Sequence, residues 1–167
     1  MKRFTCILLL FVGLLAQAQV RTYSDNASQT FVIGLDNYFY GEAGSLSFEA
    51  AGQPFQASVG ADGVLLGGQR LTDAGDIVIG IHDFTGDRVP EFVMAHRLES
   101  AIGLWIYTLD GGSWSPLKMI SVRNAKEVRI FRQVVSVRQG ETLCSWTWRG
   151  DKFDYKASDG GPEPTFP

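Results

Sequence analysis

The chain has 167 residues, with 15 Lys and Arg against 18 Asp and Glu, and a formal charge of −3. That length bounds it to one domain, large enough to bury a core without covalent staples. Arg123, Lys126, Arg129 and Arg132 stand singly among apolar residues, and no basic run exists. This excludes the electrostatic footprint of a nucleic-acid binder or of a protein held on an anionic membrane.

Lys2 and Arg3 open the chain and precede an apolar run over 4–16 that ends in Ala16-Gln17-Ala18. The run is too short for a membrane-spanning helix. A basic start, a short apolar stretch and small residues at the cleavage positions are the pattern of a secretory signal peptide. We expect residues 1–18 to be removed, a mature domain over 19–157, and a periplasmic or secreted protein with no membrane insertion after cleavage. Of the two cysteines, Cys6 lies inside the apolar run, so Cys144 alone remains and no internal disulfide forms.

Beyond the signal segment helix periodicity is nearly absent. Short apolar or alternating runs recur between Gly, Asp and Asn, the pattern of strands and turns. Strands are predicted near residues 29–33, 45–50, 55–59, 77–82, 91–97, 103–109, 117–122, 128–137, 142–149 and 152–156. The LDGGSWS segment over 109–115 predicts a hairpin turn, as do RQGET over 138–142 and RGD over 149–151. Cys144, Trp146 and Trp148 would share one face of their strand. The tail over 158–167, SDGGPEPTFP apart from its last apolar residue, predicts a flexible or loosely draped segment. The fold expected is all-β: antiparallel hairpins in a single small β-sandwich or propeller-like domain.

HDFTGDRVPEF, residues 82–92, carries most of the chemistry. Asp83, Thr85, Asp87, Val89 and Glu91 fall at alternate positions. Three carboxylates, a hydroxyl and a backbone carbonyl are hard oxygen donors of the type calcium requires. Gly86 lets the chain bend, and Pro90 stiffens the exit into EFVMAHR. Strands flank the loop, whereas an EF-hand needs helices. A second reading is an ion-free acidic turn with Gly86 at its bend.

IVIGIHDFTGDRVPEFVMA resembles the calcium-binding loop of FG-GAP repeats, the integrin-type blade motif. Asp83, Gly86, Asp87 and Pro90 match that pattern. Thr85 replaces a stronger ligand, Glu91 replaces Asp, and Arg88 stands where Gly is usual. Gly there tolerates a positive φ, and a cation beside the site weakens ion binding. The strand that ends in Trp146, Trp148, Gly150, Lys152 and Phe153 extends the resemblance to small exported bacterial domains with one such loop. That group includes periplasmic inhibitors of lysozyme-type muramidases. The resemblance implies a non-catalytic binding protein with a structural calcium loop and a protein partner, a basic muramidase. The alternative is an envelope structural or adhesion module that binds other proteins or glycans.

Two other features are candidates for partner binding. Tyr38 and Tyr40, within DNYFYGE, fit either an exposed loop anchor or a strand with Phe39 inward and both tyrosines at the rim. Trp114, beside the LDGG turn, poses the same choice. His82 and His96 flank the loop at opposite ends and fit ordinary sheet residues, not a zinc site. No nucleophile elbow, Ser/His/Asp order or phosphate loop occurs, so we expect no enzyme activity.

Overall fold

The computed structural model describes residues 30–72 and 75–165, and the signal segment lies outside them. Among the described residues there are fourteen strands and no helix. In chain order they are β1 Val32–Ile33, β2 Asn37–Tyr40, β3 Gly44–Ala50, β4 Gln53–Gly60 and β5 Gly63–Leu66. Then follow β6 Gln69–Thr72, β7 Ile77–His82, β8 Glu91–Arg97, β9 Ala101–Asp110 and β10 Ser113–Arg123. The last four are β11 Val128–Phe131, β12 Val134–Gln139, β13 Thr142–Trp148 and β14 Phe153–Ala157.

Three sheets are stacked. The first runs β1-β11-β12-β13-β14, the second β10-β9-β8-β7-β2, and the third β3-β4-β5-β6. The second sheet lies in the middle and is buried on both faces. This explains why IVIGI and EFVMA are continuous apolar runs instead of alternating ones. Along β7, Val78 enters the core shared with the first sheet, while Ile77 and Ile79 enter the core shared with the third. On β8, Val93 and Ala95 face the first sheet, and Phe92 and Met94 face the third. The outer sheets cover only one face each and alternate: β3 reads exposed-buried from Ser45 to Ala50, and β13 buries Cys144, Trp146 and Trp148 together. That shared face is the one expected.

Most strand pairs are antiparallel hairpins, but β1 pairs with β11 in parallel, Val32 opposite Val128 and Ile33 opposite Arg129. Gly34, just after β1, has φ +99°, and a Cβ there would run into the Ile130 carbonyl. In the middle sheet, β10 is an edge strand and carries Pro116, with a register shift between Pro116 and Lys118. Proline lacks the N–H a ladder needs, so an edge bulge is where it is tolerated.

Three expectations need correction. The run over 128–137 is two strands, because Arg132 (φ 52°) turns the chain without any glycine to mark the place. The hairpin GVLLGGQRL forms β5 and β6, which the short apolar stretch did not suggest. The tail is not loosely draped over residues 158–165. Glu163 accepts hydrogen bonds from Trp146 Nε1 and Lys118 Nζ, both at 2.7 Å, and so ties the first sheet to the middle one. Asp159 accepts from the Thr142 hydroxyl at 2.9 Å and from Gly161 N–H at 2.9 Å.

Candidate functional site

The loop over 83–90 joins β7 to β8, and His82 opposite Glu91 closes its base. Phe84 is fully buried and packs edge-on against His82 (4.7 Å between ring centroids) and Phe153 (5.7 Å). This ring anchors the loop in the first core. The polar side chains then fold the backbone around it.

Asp83 accepts two backbone N–H groups, Gly86 to Oδ1 at 2.7 Å and Arg88 to Oδ2 at 3.0 Å. Asp87 Oδ1 accepts from Val89 N–H at 2.8 Å. Glu91 is 2 % exposed and turns inward beneath the loop. Its Oε2 accepts from Phe84 N–H at 2.8 Å and Thr85 N–H at 3.3 Å, and its Oε1 accepts from the Thr85 hydroxyl at 3.3 Å. Burial pushes the Glu91 carboxyl above its ordinary value. The Phe84 and Thr85 amides pull it back, and the charges of Asp87 and Asp83 push it up further.

The predicted oxygen donors are thus brought to one loop, where they close its backbone turns. Among the described residues no group of three or more His, Cys, Asp or Glu stands in a ready metal-binding arrangement. A carboxylate offers about four lone-pair sites, so these amide contacts leave acceptor capacity on Asp83, Asp87 and Glu91. By donor chemistry the set fits a hard cation, with Thr85 and the Val89 carbonyl completing it.

Gly86 has φ 78° and Arg88 has φ 72°, so the position where the loop pattern favours glycine does take the left-handed conformation. A non-glycine residue is strained there by about 1 kcal/mol. Arg88→Gly keeps the N–H donated to Asp83 and removes that strain. It should raise stability by about 0.5–1 kcal/mol and the melting temperature by about 2 °C or more. Thermal unfolding in chelator reads this directly, and an unchanged or lower melting temperature would show that Arg88 is not strained.

Four long-range contacts, not legible in the sequence, pin the loop to its surroundings. His82 Nε2 lies 2.7 Å from the Arg132 carbonyl at the β11–β12 turn and donates to it. His82 Nδ1 lies 3.1 Å from Asp36 Oδ2, out of line for a hydrogen bond. Asp36 Oδ2 also accepts from Asp83 N–H at 3.3 Å, and Gln133 Nε2 donates to the Thr85 carbonyl at 3.4 Å. His96 stands opposite Ile77 at the far end of the hairpin, well apart from His82.

The aromatic candidates pack inward. Tyr38 and Tyr40 are half-buried on β2 against the first core, Tyr40 edge-on to Phe31 at 6.0 Å, while Phe39 packs on the second. Trp114 lies against Phe55 (5.3 Å), Phe48 (5.9 Å) and Phe92 (6.3 Å) and caps the second core. Cys144 is buried, and the Tyr155 hydroxyl donates to its sulfur at 3.4 Å. It has the surroundings of a structural thiol.

No family model, curated protein or solved structure matches the chain.

Proposed function

We propose that the chain is an exported, non-catalytic binding protein that inhibits a lysozyme-type cell-wall hydrolase, with the loop over 83–90 at its contact surface. The observation that carries this reading is the fixed shape of the loop. Its backbone N–H groups are held by Asp83, Asp87 and Glu91, and Phe84 plugs it into the core. A loop ordered before binding loses little entropy on docking. Asp36 and Asp87 are exposed at this end beside Arg88, and their carboxylates can pair with cations of a basic muramidase. The resemblance of HDFTGDRVPEF to FG-GAP loops, together with that of the flanking strands to small exported domains that include such inhibitors, supports the same reading. Calcium belongs to it: Asp83, Thr85, Asp87, Val89 and Glu91 would hold the ion, which would neutralise the carboxylates and brace the loop.

The test is inhibition of cell-wall lysis by a panel of basic muramidases, in calcium and in excess chelator. The expected result is inhibition by the wild type and weaker inhibition by Asp87→Asn, which keeps an acceptor for Val89 N–H and removes the charge. Inhibition that disappears in chelator assigns the ion a working role, and inhibition in both conditions makes the ion dispensable. Undisturbed lysis across the panel overturns the inhibitor reading. A second reading, an envelope adhesion module, is favoured by the uncovered outer face of the β1-β11-β12-β13-β14 sheet.

A further inference from the structure

The outer face of the first sheet carries a charge opposite to that of the chain. The strand registers align its outward residues in rows across the sheet. One row is Ile33, Arg129, Ser136, Ser145 and Lys156. The next is Phe131, Val134, Thr147 and Asp154. Arg138 follows, opposite Leu143. Arg149 and Lys152, from the β13–β14 turn, lean over the same face toward Asp154 at 4.0 and 3.7 Å. Asp154 and Glu127, the latter 2.6 Å from Arg129 Nε, pair with cations of this face, and Asp151 and Glu141 are exposed in the flanking β13–β14 and β12–β13 turns. Arg138 and Lys156 have no carboxylate within ion-pair reach among the described residues. In a chain of net charge −3 the outward strand rows, with Arg129, Arg138 and Lys156 against Asp154, are net cationic.

The face also carries hydroxyls. Ser136 and Ser145 donate to the neighbouring carbonyls of Arg129 and Lys156, which leaves their oxygens free to accept. Phe131 is 70 % exposed, the most exposed large apolar side chain among the described residues, and the Arg132 guanidinium lies 5.2 Å from its ring centre.

We propose that this face binds a linear anionic polysaccharide laid across the strands. Adjacent strands are about 4.8 Å apart, roughly the length of one sugar unit in an extended chain, so each strand can offer one contact per unit. Arg129, Arg138 and Lys156 meet carboxylates or other acidic groups of the polymer. The serines meet its hydroxyls, and Phe131 offers an apolar platform for a sugar ring. An acidic protein partner fits less well. Ile33, Phe131 and Val134 form a small apolar group confined to the β1–β11–β12 edge, and Leu143 lies away from it, so the centre of the face is polar, unlike the apolar centre that anchors protein interfaces. A single-stranded nucleic acid would need several stacking rings, and Phe131 is the one aromatic residue in these rows.

The test is affinity electrophoresis of the full chain through gels containing polygalacturonate, neutral dextran or no polymer, with a single-stranded DNA oligonucleotide and an acidic protein run as competitors. The expected result is retardation by polygalacturonate alone, abolished near 1 M salt, where the screening length is about 3 Å. Arg138→Glu with Lys156→Glu should weaken it by roughly tenfold or more. Arg138→Lys with Lys156→Arg should retain it. Both pairs sit on the solvent face, and an unchanged melting temperature shows that each folds. No retardation by polygalacturonate, equal retardation by dextran, or indifference to the charge-reversing pair would each overturn the proposal. Stronger displacement by the oligonucleotide or by the acidic protein than by free polygalacturonate would overturn it in favour of that class of partner.

Discussion

Trp146→Ala should lower the stability of the domain by about 3–5 kcal/mol, the cost of deleting a fully buried large aromatic side chain. Trp146 is 0 % exposed, tilts against Tyr155 at 5.1 Å and fills the first core between the two sheets. Urea unfolding measures the loss. Two further variants separate packing from the polar link to the tail. Trp146→Phe keeps much of the ring volume, removes the N–H that Glu163 accepts while leaving its contact with Lys118, and should cost less, about 1–2 kcal/mol. Glu163→Gln keeps an acceptor for Trp146 Nε1, weakens the contact with Lys118, and should cost under about 1 kcal/mol. If Trp146→Phe proved as damaging as Trp146→Ala, the hydrogen bond to the tail would outweigh the packing, contrary to this account.

Glu91→Leu should destabilise by about 2–4 kcal/mol, because it leaves the Phe84 and Thr85 amides buried without an acceptor. Glu91→Gln keeps that acceptor and should be far milder. The two glutamate variants also report the charge. The folded-state pKa of Glu91 lies above the ordinary 4.5, chiefly through burial. Below about 4.5 the carboxyl is protonated in both folded and unfolded states, and its contribution to stability is fully present. As pH rises through the folded pKa the buried group must ionise, and that contribution is lost. Glu91→Gln cannot ionise, so relative to the wild type it should gain stability between pH 4 and pH 7 in chelator. Denaturant unfolding at the two pH values checks this. A difference that stays flat with pH would mean that the ionised carboxylate is not penalised by its burial.

The strand content was legible because the apolar runs are bounded by Gly, Asp and Asn. IVIGI and EFVMAHR were found through continuous apolarity, yet that signal does not say what covers the second face. The third sheet supplies it, and nothing in GVLLGGQRL marks that hairpin as part of a separate layer. The turn at Arg132 escaped because an ordinary residue takes a positive φ there. In the loop, the alternation of Asp83, Thr85, Asp87 and Glu91 marked residues whose side chains make the hydrogen bonds within the turn. Spacing alone could not show that Asp83 and Glu91 spend oxygens on backbone N–H groups. It also could not show that Asp36, His82 and Arg132, distant in the chain, meet beside the loop. Tyr38, Tyr40 and Trp114 illustrate why exposed aromatics cannot be told from core aromatics by sequence: in a stack of three sheets almost every ring finds a neighbour.

The middle sheet has no face of its own turned to water, and the β3–β6 unit that covers one side is a single uninterrupted stretch of chain, residues 44–72. Such a unit can lift as a flap without threading or unpairing the rest. Beneath it lie Ile77, Ile79, Phe92, Met94 and Tyr107, a contiguous apolar sheet surface. Once bare, that surface would recruit other chains. Opening of this unit would therefore lay bare a surface prone to association whatever the charge of the exterior.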